Sequence, residues 1–175
     1  MQKNWYLVYT KPKSEKKVAA LLTKRKINNF CPQNRKQVKH LRRNKLVNEP
    51  LFSSYVFVQL EAINLVFLKD IENILNVVYW KGNPAIINNE EIDIIKDFIN
   101  DYDNIRMEKT IVNLKDSAKI VDRPAYTMDG NLIRLKNTSV RINLPSIGYT
   151  LVADLAGKEE LISVQSPFIK EIILQ

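Results

Sequence analysis

The stretch Glu49-Pro50-Leu51-Phe52-Ser53-Ser54-Tyr55-Val56-Phe57-Val58 constrains the fold more than any other, because it reads as one extended strand that is apolar on both faces. Alternation puts Tyr55 and Phe57 on one face and Val56, Val58 and Leu60 on the other. Such a strand needs cover on two sides. The aliphatic face can pack on the chain's own helices, which leaves the aromatic face to a second layer or to another molecule. Just upstream, Lys36, Lys39, Arg42, Arg43 and Lys45 form a basic run that no core can hold, so an aromatic sheet adjoins a cationic loop.

The rest of the chain supplies the partners. Trp5 to Thr10 is β-prone, with Trp5, Leu7 and Tyr9 on one face and Tyr6 and Val8 on the other. After Pro12 the spacing turns helical to about Lys26, with Val18, Leu21, Leu22 and Arg25 on one stripe and Lys13, Lys17 and Lys24 on another. Phe30-Cys31-Pro32 opens an extended segment, and the run from Lys39 to Asn48 reads as a hairpin tip. A short helix over Asn64 to Lys69, a strand over Ile74 to Trp80 and a turn at Gly82-Asn83-Pro84 follow. Asn88 with Glu91 three residues on resembles a capping box that opens an amphipathic helix to Asn100. These elements predict an α+β domain over residues 1–104, its mainly antiparallel sheet covered by helices on one face.

Residues 105–113 are polar and read as a linker. Beyond them, from 114 to 175, short β-branched runs alternate with turn residues: Ala118 to Val121, Leu132 to Leu135, Val140 to Leu144, Thr150 to Asp154, Leu161 to Val164 and Ile169 to Ile173. That spacing predicts a small β-barrel.

Charge is distributed unevenly. Net charge is +8 over 175 residues, but the first fifty carry about +12, so the remainder is acidic by about −4. A polyanion beside the N-terminal half, nucleic acid above all, or a solvated basic face would each account for this. The single cysteine, Cys31, excludes an internal disulfide and suits a reducing cytoplasm; flanked by Phe30 and Pro32, it reads as a buried small residue. With one histidine, His40, set among cations, neither a general base nor a zinc set can be assembled, and the four glycines form no phosphate cradle. No run approaches a membrane span. A non-enzymatic, cofactor-free, cytoplasmic protein is expected.

Trp5-Tyr6, a basic helix, Glu49-Pro50-Leu51-Phe52 and Tyr55-Val56-Phe57-Val58 follow one another in the order and spacing of the N-terminal (NGN) domain of the NusG family of transcription elongation factors, which this chain resembles. Departures from the housekeeping pattern make it more similar to the specialised paralogs, RfaH and the UpxY-type antiterminators of polysaccharide operons. The resemblance extends, degraded, into the C-terminal region. Lys119-Ile120-Val121-Asp122-Arg123-Pro124 and Gly130 match a KOW domain, while Lys115 and Arg123 stand where glycines are usual.

The resemblance implies that Tyr9, Phe52, Tyr55 and Phe57 line an apolar pocket for the clamp helices of the large catalytic subunit of RNA polymerase, with Pro84 and Ile86 on its rim. It implies that Lys11, Lys17, Lys24 and Arg25 face non-template DNA, although Glu72 stands where the paralog has an arginine. Arg42, Arg43 and Lys45, at the hairpin tip, are candidates for upstream DNA or polymerase. It further implies that the C-terminal domain meets Rho or a small-subunit ribosomal protein. One family member folds that domain as a helical hairpin, but the period of two at Val140, Ile142 and Leu144 favours strands here. A monomer is expected. The competing reading is an RNA-binding or ribosome-associated module that stacks bases on the aromatic sheet.

Overall fold

The computed structural model describes residues 2–40, 43–109, 119–122, 126–129, 132–135, 139–154 and 162–163. In chain order the elements are β1 (Asn4–Thr10), α1 (Glu15–Lys24), β2 (Asn28–Phe30), β3 (Gln33–His40), β4 (Arg43–Pro50), β5 (Tyr55–Leu60), a 3-10 helix (Ala62–Asp70), β6 (Ile74–Val77), β7 (Tyr79–Trp80), β8 (Asn83–Pro84), β9 (Ile86–Ile87) and α2 (Asn89–Asp101). There follow β10 (Arg106–Lys109), β11 (Lys119–Asp122), β12 (Tyr126–Asp129), β13 (Leu132–Leu135), β14 (Ser139–Leu144), β15 (Tyr149–Asp154) and β16 (Ile162–Ser163).

β1 is the centre of the first sheet. β5 lies along one of its edges, while β6 and β9 share the other, all antiparallel, and β2 extends the sheet beyond β5. The alternation expected of β1 and β5 holds. Tyr6, Val8, Val56, Val58 and Leu60 form one core with Val18 and Leu22 of α1 and with Leu65 and Leu68 of the 3-10 helix. Burying these side chains from water is what holds α1 and the 3-10 helix on this face, at about 25 cal/mol per Å² of apolar surface.

The opposite face is covered as well, which corrects the expectation of helices on one side only. Trp5, Leu7 and Phe57 share a core with Ile92, Ile95 and Phe98 of α2 and with Val140, Ile142, Leu144, Leu151 and Ala153 of β14 and β15. The period-two run of β14 is thus buried against the N-terminal half.

Three local expectations are corrected. The opening stretch is not one strand: β4 ends at Pro50, and Leu51 to Ser54 form a turn in which Ser54 takes the left-handed conformation (φ 65°). Glu15, buried in the first turn of α1, stabilises that turn by accepting the Ser54 backbone N–H at 2.5 Å. The capping box does not form either. Asn88 makes no side-chain cap, and Glu91 instead accepts the backbone N–H of Ser146 at 3.0 Å, in the turn between β14 and β15. Finally, the segment expected to link two domains contributes β10, which pairs with β15.

Described regular structure after β10 is all strand, as expected, in the sheets β10-β15-β14-β11 and β12-β13-β16. Arg42, Lys115, Arg123, Pro124, Gly130 and the strand expected over 169–173 lie outside the described residues.

Candidate functional site

The aromatic face of β1 and β5 separates into a buried part and a reachable part. Phe57 is fully buried, with Phe52 edge-on at 5.3 Å between ring centroids and Phe30 at 6.0 Å. Two residues along on the same face, Tyr9 and Tyr55 are cross-strand partners with ring centroids 5.3 Å apart. Tyr9 is 39% exposed and Tyr55 is half-buried. Burial raises the Tyr55 phenol above its ordinary pKa, and the nearby phenols of Tyr149 and Tyr9 add to the shift. Of the four aromatics expected to form a pocket, this tyrosine pair is therefore the part a partner can touch.

The expected rim is not continuous with that pair. Ile86 stands across from Tyr6 and Ile87 across from Trp5. Cross-strand partners share a face, so exposed Ile86 belongs to the α1 side of the sheet and not to the Tyr9 side. Half-buried Pro84 pairs with Tyr79 in a small hairpin turned by Lys81 (φ 50°) and Gly82 (φ 84°). Tyr79 and Trp80 in that hairpin are 52% and 58% exposed. The sequence marks them only as strand residues, because a strand ending in two aromatics looks the same in sequence whether it is buried or not.

The cations fall on two surfaces. The first is α1 and its approach, where Lys11, Lys17, Lys24 and Arg25 are all exposed. Lys17 pairs with Glu72 at 2.7 Å, and Arg25 donates to the Asp70 carbonyl oxygen at 3.2 Å. The second is the two-stranded ribbon β3-β4, on which Arg43 and Lys45 are exposed and share a face with Lys36 and Val38. At its base buried Asn34 accepts the Ile105 N–H and donates to the Ile105 carbonyl oxygen, at 3.0 and 2.7 Å. The Lys16 ammonium donates to the Asn48 carbonyl oxygen at 2.7 Å and so ties α1 to the ribbon.

The Cys31 thiol is pushed up to about 11, chiefly by burial and then by the Glu15 carboxylate, so it stays protonated near neutrality. Among the described residues no group of His, Cys, Asp or Glu side chains could hold a metal ion, and no helix is long and apolar enough to cross a membrane.

These elements make a layered α+β sheet with an accessible tyrosine pair and two cationic surfaces. Residues 3–96 match the family model described as "Transcription termination factor nusG", which covers more than half of the chain. The chain belongs to the NusG family, whose members are non-enzymatic transcription factors acting in elongation. Among solved structures it is similar to that titled "Domain interaction in Thermotoga maritima NusG", with 19% identity, a TM-score of 0.49, and coverage of 93% of this chain and 99% of that one. It is also similar to the MjSpt4:Spt5 complex in conformation A, with 16% identity, a TM-score of 0.32, and coverage of 86% and 99%. Comparison with curated proteins returns no match.

Proposed function

We propose that this protein is a specialised elongation and antitermination factor, similar to RfaH and the UpxY type, that docks on the clamp helices of RNA polymerase. The observation that carries the reading is the Tyr9–Tyr55 pair, held partly exposed at the ends of two interior strands of the NGN sheet. Rigid aromatics bury a large area with few rotamers to lose, which suits them as interface anchors. Tyr55 packs against the buried core that contains Phe52 and Phe57. In this reading exposed Lys11, Lys17, Lys24 and Arg25, on and beside α1, contact non-template DNA, and exposed Arg43 and Lys45 of the β3-β4 ribbon contact upstream DNA. A protein that bridges the polymerase clamp disfavours the open state associated with pausing, and each tenfold shift in that population needs only about 1.4 kcal/mol of differential affinity.

In this reading residues 1–104 are the polymerase-binding domain, and residues 114–175 form a degenerate KOW-like barrel that meets Rho or a ribosomal protein. The factor acts as a cytoplasmic monomer at particular operons, surface polysaccharide genes among them. The test is binding of the full chain to core RNA polymerase, with Tyr9→Ala and Tyr55→Ala as the diagnostic variants. Loss of binding with unchanged melting supports the reading. Unchanged binding in both variants, or tight salt-sensitive binding to free RNA without polymerase, overturns it.

A further inference from the structure

One short stretch, residues 70–73, engages three of the four residues that the proposed function gives to DNA on the α1 surface. The Lys17 ammonium lies 2.7 Å from Glu72 Oε1. The Arg25 guanidinium donates to the Asp70 carbonyl oxygen at 3.2 Å, and the Lys11 backbone N–H donates to the Asn73 carbonyl oxygen at 2.9 Å. Asn73 Nδ2 also donates to Glu72 Oε1, at 3.3 Å, and the left-handed conformation of Asn73 (φ 69°) turns the stretch back toward β1.

The Lys17 hydrogen bond, and after it the Lys17 charge, hold the Glu72 carboxyl below its ordinary pKa, with Asn73 and Lys11 adding to the effect. Glu72 is therefore a fixed negative charge at neutral pH, placed where a phosphate would approach Lys17. The two side chains are 57% and 67% exposed, and an exposed pair of this kind contributes little to stability, so a phosphate can displace it. The displaced carboxylate cannot go far. Its backbone is anchored through the bond between Lys11 and Asn73, so it stays near the incoming phosphate and repels it.

On the assumption that α1 contacts nucleic acid, we propose that Glu72 is a selectivity determinant of that surface: by occupying Lys17 it weakens indiscriminate binding of single-stranded nucleic acid. Productive contact is then reserved for a strand that the polymerase already holds in place. Neutralising Glu72 frees one cation for phosphate, which adds about 0.7 to the salt slope for a single strand.

The experiment is fluorescence anisotropy of a labelled, mixed-sequence single-stranded DNA oligonucleotide with the full chain across a sodium chloride series. The variants are Glu72→Gln, Lys17→Gln, the double variant, and Asp97→Asn, which removes an exposed carboxylate on α2 as a control for net charge. Glu72→Gln should bind about 3- to 5-fold tighter with a steeper salt slope, the size of one exposed charge contact. The gain should vanish in the double variant and be absent in Asp97→Asn. The proposal is overturned if Glu72→Gln is no tighter than wild type, if Asp97→Asn gains as much, or if the gain survives without Lys17. Should Lys17→Gln weaken binding while Glu72→Gln changes nothing, α1 remains a nucleic-acid surface and only the role of Glu72 falls. Should neither change binding, both fall.

Discussion

Tyr55 and Phe57 stand two residues apart on the same face of β5, yet one can meet a partner and the other cannot. Phe57 is fully buried against Phe52 and Phe30, so Phe57→Ala removes a ring from a packed core and should destabilise the fold by about 3–5 kcal/mol, read from a denaturant midpoint. Tyr55→Ala, at a half-buried position, should cost much less and report on binding instead. Glu91 makes a second prediction at this scale. It is 1% exposed, and its Oε2 has no hydrogen-bond partner among the described residues. Burial raises its pKa above the ordinary 4.5, against the opposing effect of the Ser146 backbone N–H. The folded chain therefore holds this proton more tightly than the unfolded chain. Stability from this group is full below about pH 4.5 and is lost as pH rises through the folded value. Glu91→Gln keeps the acceptor for Ser146 and removes the titration. Its advantage in melting temperature over wild type should be largest near neutrality and shrink on acidification.

At the scale of elements, the ribbon β3-β4 isolates charge from packing. Neutralising Arg43 and Lys45 together to glutamine should weaken binding to an elongation complex while leaving the melting temperature within a degree or so, because both side chains are exposed. Asn34→Ala should do the reverse. It strands the Ile105 N–H and carbonyl oxygen at a buried position and should cost about 2 kcal/mol, seen as a lower denaturant midpoint. How far elements could be read from the sequence follows the range of the forces that make them. The two faces of β1 and β5 were legible because alternation is local, and α1 because Val18 and Leu22 repeat at helical spacing. The break at Ser54 was not, since the group that stabilises it, Glu15, is 39 residues away in the chain. The role of Glu91 was hidden for the same reason: a capping box is a local pattern, but its partner Ser146 lies 55 residues on. In the candidate site, the chemical types were legible and their accessibility was not. Nothing in the order Phe52, Tyr55, Phe57 tells which ring a second layer will cover.

At the scale of the whole molecule, the second layer is the decisive feature. α2, the aromatic face of the sheet and the β14-β15 pair share one apolar core, and Ser146 is bonded to Glu91 across it. A core shared in this way should unfold as a unit. Leu151 is fully buried in β15, so Leu151→Ala should cost about 2–5 kcal/mol. That loss should be felt at Trp5, which is 6% exposed on β1 in the same core. With exposed Trp80 changed to Phe so that fluorescence reports Trp5 alone, the Trp5 transition and the far-UV transition should coincide, and Leu151→Ala should shift both equally. A Trp5 transition indifferent to Leu151 would mean that β14-β15 melts on its own. The distinction bears on function. Tyr149 of β15 already lies near the Tyr55 phenol, so a partner that reaches past Tyr55 toward Phe57 must first displace contacts that contribute to the stability of the whole core.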